Sequence, residues 1–452
     1  MAGLSPNTLF DSQITLGVTG LSRAGKTVFI TSLVKNLLDG VRMPMLEGMR
    51  LGRVEATYLQ PQPNDTVPRF AYETHLAGLM GKSPKWPEGT RTISQLRLSM
   101  RVQPRGFRGL LSGPRQLHID IVDYPGEWLL DLPLMRQSFA EFSAQAFAHM
   151  EEDGRKEAAE PFLKFLPKPD AAFDEALATD MAAAYRAYLN RLRKLGYVTL
   201  APGRFMMPGD LEGSPALSFT PLPEDLLTTP WGREFKRRFR AYQSKVVKPF
   251  FRDHFAKIDR QIVLVDGLEA LSAGPRALED LRGSMADILT CFKPGANNLF
   301  TWLTGTRVER ILFAATKADH LHHKQHGALV GLLNGLLTQA KSRAEFSGAQ
   351  TRSMAIASLR ASTEDEITHN GDKLPVVKGR LTGAKSEKIF YAGELPEDGG
   401  VLVSEATSKA EHFEDHEFGQ DRLDPPKLNK SNAGLPHIRL DQAAQFLFGD
   451  KI

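Results

Sequence analysis

The chain has 452 residues, 42% hydrophobic and 24% charged, with a formal charge of +4 and a single cysteine, Cys291. This balance excludes collagen-like, disordered and membrane-bundle classes and rules out an intrachain disulfide or a multi-cysteine zinc site; the length allows roughly two or three domains. The small net charge implies no nucleic-acid partner without a local cluster, and with no signal-peptide pattern and no apolar run of ~18 residues a cytoplasmic protein is expected, any membrane contact being peripheral.

The first informative stretch is GVTGLSRAGKTVFITSLVKNLL, residues 17–38. QITLGVT reads as a strand, GLSRAGKT from Gly20 to Thr27 fits the phosphate-loop pattern GxxxxGK[ST], and Val28, Ile30, Leu33, Val34, Leu37 and Leu38 fall mostly on one helical face before a stop at Gly40. Glycines let backbone amides close around phosphate oxygens, and a helix N-terminus adds favourable partial charge. The backbone from Gly20 through Ser22, Arg23, Ala24, Gly25, Lys26, Thr27 and Val28 is therefore the expected phosphate cradle. Lys26 would neutralise the β and γ phosphates, and the Thr27 hydroxyl would serve magnesium, which prefers oxygen ligands.

Next, KWPEGTRTISQLRLSM alternates as a strand from Ser94 to Met100 and carries Thr90 and Thr92 just ahead of it. One of them, with Thr90 preferred, is expected to be a second magnesium-binding threonine. QLHIDIVDYPGEW then alternates through Leu117, Ile119 and Ile121 and ends in the DxxG pattern Asp123 to Gly126. Asp123 would hold a magnesium-bound water, and the Gly126 amide would sense the γ phosphate. Glu127 stands where a water-orienting Gln is common; it reads either as a catalytic group or as a surface residue of a moving loop. Arg23 sits in a GLxRxGK pattern that resembles guanylate-binding-type large GTPases, and that resemblance implies an internal arginine finger; a solvent-exposed loop charge is the plainer reading.

About 130 residues then separate this element from the apolar strand RQIVLVDGLEAL near residue 260. LPLMRQSFAEFSAQAFAHMEE and DAAFDEALATDMAAAYRAYLNRLRKLG have the spacing of bundled helices. A further helix, REFKRRFRAYQSKVVKPFFRDHFAKIDR, carries Phe235, Phe239, Tyr242 and Val246 at helical spacing among many Lys and Arg. An inward aromatic stripe with a solvated basic face is expected. Contact with an anionic membrane is the second reading, and nucleic acid the last, because no recognised binding motif is present.

RILFAATKADHL places Thr316, Lys317 and Asp319 after an apolar run, as in the guanine-reading [NT]KxD element. The Asp319 carboxylate would accept from guanine N1 and N2, donors that adenine lacks, and Lys317 would pack along the ring. The competing reading makes Asp319 a helix cap. SMAIASLRAST, 353–363, reads as a strand with the last base-contacting loop, where Ala357 and Ser358 would touch the base through their backbone. His320, His322, His323 and His326 match no established zinc spacing and read as a polar helix start. LPVVKGR and EKIFYAGELP look β-like, and IRLDQAAQFLFGD reads as a terminal helix.

The order phosphate loop, DxxG, TKxD is that of Ras-like GTPases. GLSRAGKTVFITSLVKNLL, HIDIVDYPGEWLLDLPL, RQIVLVDGLEAL, ATKADHLHH and GLPHIRLDQAAQFLFGD together resemble the YcjX-like family of bacterial proteins over nearly the whole chain. The resemblance implies a P-loop, Ras-like GTPase core of α/β class with a large helical insertion, GTP/GDP and Mg2+ as ligands, and a link to bacterial stress responses through an unknown effector protein. The expected division is 1–128 and 259–363 for the two parts of the core, 129–258 for the insertion, and 364–452 for a β-rich segment and a C-terminal helix packing on the core. Candidate catalytic groups are Lys26, Arg23 and Glu127. The rival functions are an ATP-dependent P-loop NTPase or kinase, and a scaffold that binds nucleotide without turnover.

Overall fold

The computed structural model describes residues 12–20, 24–90, 92–104, 113–290, 308–346, 348–369, 371–395, 423–428 and 434–452; Cys291, Ser22 and Arg23 lie outside them. The central sheet contains β1 (Ser12–Gly20), β2 (Val54–Gln60), β3 (Ser94–Val102), β4 (Arg115–Asp123), β5 (Arg260–Val265), β6 (Arg310–Ala315) and β7 (Gln350–Ala355), in the order β2-β3-β4-β1-β5-β6-β7. From β4 to β7 the neighbours are parallel, whereas β3 pairs antiparallel with both β4 and β2. The fold is thus mixed α/β around a mostly parallel sheet, consistent with a Ras-like core.

Such sheets are covered on both faces, so their central strands are apolar throughout. All six residues of β5 are buried. Ile262 and Leu264 join Leu16, Val18, Leu312 and Ala314 in one core, while Val263 and Val265 join Ile311 and Phe313 in the other. The first core is closed by the helix Lys26–Asp39, through Phe29, Ile30, Leu33, Val34 and Leu37, and by the C-terminal helix Leu440–Phe448. Gly40 ends the first helix in the left-handed region, at φ 66, where glycine carries no steric penalty.

The second core extends into a helical layer built between β4 and β5. Ser138 and Glu141 form a reciprocal capping box that starts the α-helix Phe139–Met150, so the stretch read as one helix from residue 132 is divided into a 3-10 turn at Pro133–Arg136 and this helix. The helix Pro230–Tyr242 buries Trp231, Phe235, Phe239 and Tyr242 completely and leaves Arg233, Lys236, Arg237 and Arg240 exposed. A π-helical turn, Gln243–Val247, joins it to Lys248–Asp253, so what the sequence reads as one helix to residue 260 is interrupted and ends earlier.

The segment after the DxxG element is anchored in this layer. Gly126–Asp131 forms a 3-10 turn whose buried Asp131 accepts from the Tyr242 hydroxyl at 2.6 Å, the Gly203 amide at 2.7 Å and the Arg204 amide at 3.2 Å. Burial pushes the Asp131 carboxyl up to about 6 in spite of these donors.

Two elements have no clear sequence signal. β2 is an edge strand of mixed exposure without alternation, and the helix Tyr72–Met80 buries only Tyr72 and Leu79. The stretch 353–363 is not one strand: β7 ends at Ala355, and β8 (Ser362–His369) starts a separate antiparallel sheet, with β9 (Asp372–Gly379) central and β10 (Lys388–Phe390) outside. Among the described residues no helix is long and apolar enough to cross a membrane.

A Cβ at Gly203 would lie 1.8 Å from the Glu127 carbonyl oxygen, a backbone contact that no rotamer change relieves. Gly203→Ala is therefore expected to destabilise the fold by about 2 kcal/mol. The urea midpoint of the purified variant checks this.

Candidate nucleotide-binding site

Parallel pairing sets Val18 of β1 beside Asp123 of β4, so the phosphate-loop residues and the DxxG element leave the sheet at the same edge. Gly25, at φ 84, turns the chain into the first helix in a conformation that L side chains rarely adopt. The helix has no acidic residue in its first turn, so its N-terminal partial charge is not offset there. Lys26 follows, 7% exposed, with its Nζ donating to the Gly20 carbonyl at 2.6 Å.

Three oxygen-bearing side chains converge beside it. The Thr90 hydroxyl donates to Asp123 Oδ2 at 3.0 Å and lies 3.5 Å from the Thr27 hydroxyl. Ser94 opposes Asp123 in the β3–β4 ladder, and that register brings the chain just before β3 over the end of β4. Thr90 reaches the carboxylate; Thr92 is exposed. Asp123 is 2% exposed, and burial pushes its carboxyl up to about 6, against the opposing effects of Lys26 and the Thr90 hydroxyl. Among the described residues its Oδ1 has no hydrogen-bond partner. A buried carboxylate oxygen without a donor, beside two hydroxyls, is a donor set that suits a hard divalent cation.

The other end of the site lies past β5 and β6. Thr316 is buried and holds the Val265 carbonyl through its amide at 3.0 Å. Lys317 adopts φ 58, and its ammonium pairs with Asp266 and, at 3.7 Å, with Glu269. Asp319 is 5% exposed; its Oδ2 accepts the Ala361 amide at 2.8 Å and its carbonyl accepts the Ser362 hydroxyl. The turn is pinned from below by His326, whose Nε2 donates to the Ala318 carbonyl at 2.8 Å while Arg439 donates to its Nδ1 at 3.0 Å. Burial lowers the His326 pKa, in keeping with a neutral ring that accepts at one nitrogen and donates at the other. His320 is likewise held toward neutrality by burial.

One cavity of about 330 Å³ joins the two ends. Ala24, Gly25, Lys26, Thr27 and Val28 line it at the phosphate-loop side, with Thr90 across from them. Thr316, Lys317, Asp319, Ala357 and Ser358 line the opposite side. Val28 thus faces the cavity instead of the helix core. Gly20 contributes its carbonyl to Lys26, and Gly126 opens the turn behind Asp123. Glu127 is 4% exposed, with its carbonyl against Gly203, and is not among the lining residues; the surface alternative for it does not hold.

Residues missed in the sequence also line the cavity: Trp86, Leu359, His320 and Leu423. Trp86 and His320 flank motifs already singled out, but nothing local to Leu423 signals its place. His322 and His323 form a turn against Glu364. His322 accepts the Lys324 amide at 3.3 Å, its Nε2 lies 3.8 Å from Glu364, and His323 bonds the same carboxylate.

A model of the YcjX-like family, DUF463, matches residues 14–452. The chain belongs to the YcjX-like family. It is 37% identical to a Ras-like GTPase YcjX of Escherichia coli (strain K12) over 464 residues, covering 98% of this chain and 96% of that one. A Ras-like GTPase YcjX of Shewanella oneidensis is 33% identical over 473 residues, with 98% and 95% covered.

In this YcjX-like chain the raised Asp123 carboxyl makes the folded state bind a proton more tightly than the unfolded one, whose carboxyl stays near 3.8. Stability from this group is therefore present at acid pH and is lost as pH rises from about 4 through about 6. Asp123→Asn is expected to stabilise the nucleotide-free protein by on the order of 2–3 kcal/mol above that window and by little below it. Thermal melts across the same pH range check it.

Proposed function

We propose that the protein binds GTP and GDP with magnesium and hydrolyses GTP slowly, as a nucleotide-controlled switch. The cavity that joins the phosphate-loop residues and Thr90, itself bonded to Asp123 behind the lining, to Asp319, Ala357 and Ser358 carries this reading. Backbone amides from Gly20 to Val28, including Ser22 and Arg23, cradle the phosphates, and Lys26 leaves the Gly20 carbonyl to meet the β and γ phosphates. Thr27 and Thr90, with Asp123 through a water shell, would hold magnesium, which supplies positive charge against the phosphate oxygens. The Gly126 amide senses the γ phosphate.

At the base end, the structural bond to Ala361 engages Asp319 Oδ2, and the carboxylate retains acceptor capacity for guanine N1 and N2. Thr316 and Lys317 shape the ring site, and Ala357 and Ser358 offer backbone groups to its edge. Arg23 is proposed to stabilise charge on the transferred phosphoryl group, with Glu127 acting on water only if its turn rearranges. The family resemblance supports a cytoplasmic role in a bacterial stress response, through an effector protein still to be found.

Calorimetry with GDP and ADP in magnesium is expected to give tight GDP binding, little ADP binding and at least a tenfold loss for GDP in Asp319→Ala. Equal binding of the two nucleotides would leave a general P-loop NTPase or kinase. Tight GTP binding without phosphate release would leave the scaffold.

Phosphate-release assays are expected to show Arg23→Ala slowed on the order of a hundredfold or more with GTP affinity nearly kept. Thr92→Ala is expected to hydrolyse GTP as the natural protein does, while Thr90→Ala loses turnover.

A further inference from the structure

His322 and His323 stand in the turn that follows Asp319, with their ring centroids 4.3 Å apart. Both face Glu364 of β8, which lies 41 residues beyond His323. His323 bonds its carboxylate through Nδ1, and His322 Nε2 lies 3.8 Å from the same Oε2. The three atoms fall within 4.8 Å of one another. A tetrahedral zinc ion with bonds of about 2.1 Å separates its ligands by about 3.4 Å, so movements of roughly 1 Å turn this arrangement into a coordination sphere. The histidines alone have no zinc spacing because the third ligand comes from a distant strand.

The surroundings suit a metal. The Arg360 guanidinium holds Glu364 Oε1 at 3.2 Å, which orients the carboxylate and leaves Oε2 to the two rings. Burial raises the Glu364 carboxyl, but the His323 bond and the Arg360 charge outweigh it and keep the group below its ordinary range, an ionised ligand at neutral pH. His322 is 5% exposed and His323 is open to solvent, so water can reach a fourth position. The Lys324 ammonium is engaged elsewhere, with Glu366 at 2.7 Å. The cost is local. The Lys324 amide donates to His322 Nδ1 at 3.3 Å, which puts the ring proton on Nε2; coordination moves that proton to Nδ1 and gives up this long bond. Two imidazoles and one carboxylate favour zinc, whereas magnesium and calcium prefer oxygen ligands throughout.

We propose that His322, His323 and Glu364, with a water, form a zinc site that fastens the Asp319 turn to β8. Ser362 and Glu364 are two apart in that strand and share a face. The Ser362 hydroxyl bonds the Asp319 carbonyl, and the Ala361 amide donates to Asp319 Oδ2 at 2.8 Å. Zinc thus closes the turn against the strand that already holds Asp319, and makes the rigidity of that turn depend on metal supply. The metal site does not need the guanine reading; only its effect on a bound base rests on it.

The test titrates the full, nucleotide-free, chelator-treated chain with Co2+ in excess magnesium and then displaces the cobalt with Zn2+. The natural protein is expected to develop the intense visible bands of four-coordinate cobalt at one equivalent and to lose them to zinc. His323→Ala and Glu364→Gln are expected to weaken zinc binding at least about tenfold. His369→Ala, which removes an exposed histidine of the same strand, is expected to leave it unchanged. Zinc is also expected to slow hydrogen exchange of the amides at 318–323 and 361–364 in the natural protein and not in His323→Ala. Absent cobalt bands, or bands that survive both substitutions, overturn the site and leave a histidine–carboxylate hydrogen bond only. Bands that depend on both residues, with exchange unchanged by zinc, overturn the fastening of Asp319. A natural protein that binds zinc but no GDP overturns the proposed function and leaves the zinc site standing.

Discussion

The desolvated Asp123 carboxylate is the constraint on which the site depends. A buried acid is costly unless charge and hydrogen bonds return what water gave it. Here Lys26 and Thr90 return only part, and Oδ1 finds no partner among the described residues, so burial still raises the proton affinity. The surrounding fold keeps that arrangement in place. Parallel pairing puts the end of β1 beside Asp123, Gly25 turns the chain so that Lys26 and Thr27 begin the helix there, and antiparallel β3 delivers Thr90 from the other side. The local electrostatics favour a ligand that brings positive charge to Asp123 and negative charge to Lys26 together.

The Asp319 end of the cavity obtains its rigidity differently, from long-range contacts. Ala357 exchanges both backbone hydrogen bonds with Ile438, and Arg439 reaches the Ala355 carbonyl as well as His326. The same C-terminal stretch is tied to the first helix, because Asn36 gives and takes hydrogen bonds with the backbone of Leu435. One strap therefore braces the helix that carries Lys26 and the loop that carries Ala357 and Ser358. The helical layer is tied to the opposite side of the site: Asp131 binds three donors from it, and Arg204 lies over the Trp128 ring at 3.2 Å. Displacing the turn after Gly126 must break that cluster or carry the layer with it.

The sequence made legible the parts whose chemistry is local. The phosphate loop needs glycine at a left-handed position and a cation at the helix start, and these are neighbours in the chain; so are Thr316, Lys317 and Asp319, and the apolar runs of β1, β4, β5 and β6. The stop at Gly40 and the C-terminal helix could also be read, because a cap and a 3.6-residue period are short-range signals. Less legible were β2, whose edge position removes the alternation a buried face imposes, and the split of 353–363 into β7 and β8, which shared β-forming composition conceals.

What the sequence determined by itself was the α/β class and the order of the candidate motifs, since each rests on spacings of a few residues. The bond of Thr90 to Asp123, the burial of Glu127, the pairing of Lys317 with Asp266 and the meeting of Trp86 with Leu423 were decided only by the tertiary structure. These depend on strand register and on contacts between residues far apart in the chain. Such contacts are selected by the burial of two whole cores, and no window of local sequence contains that sum.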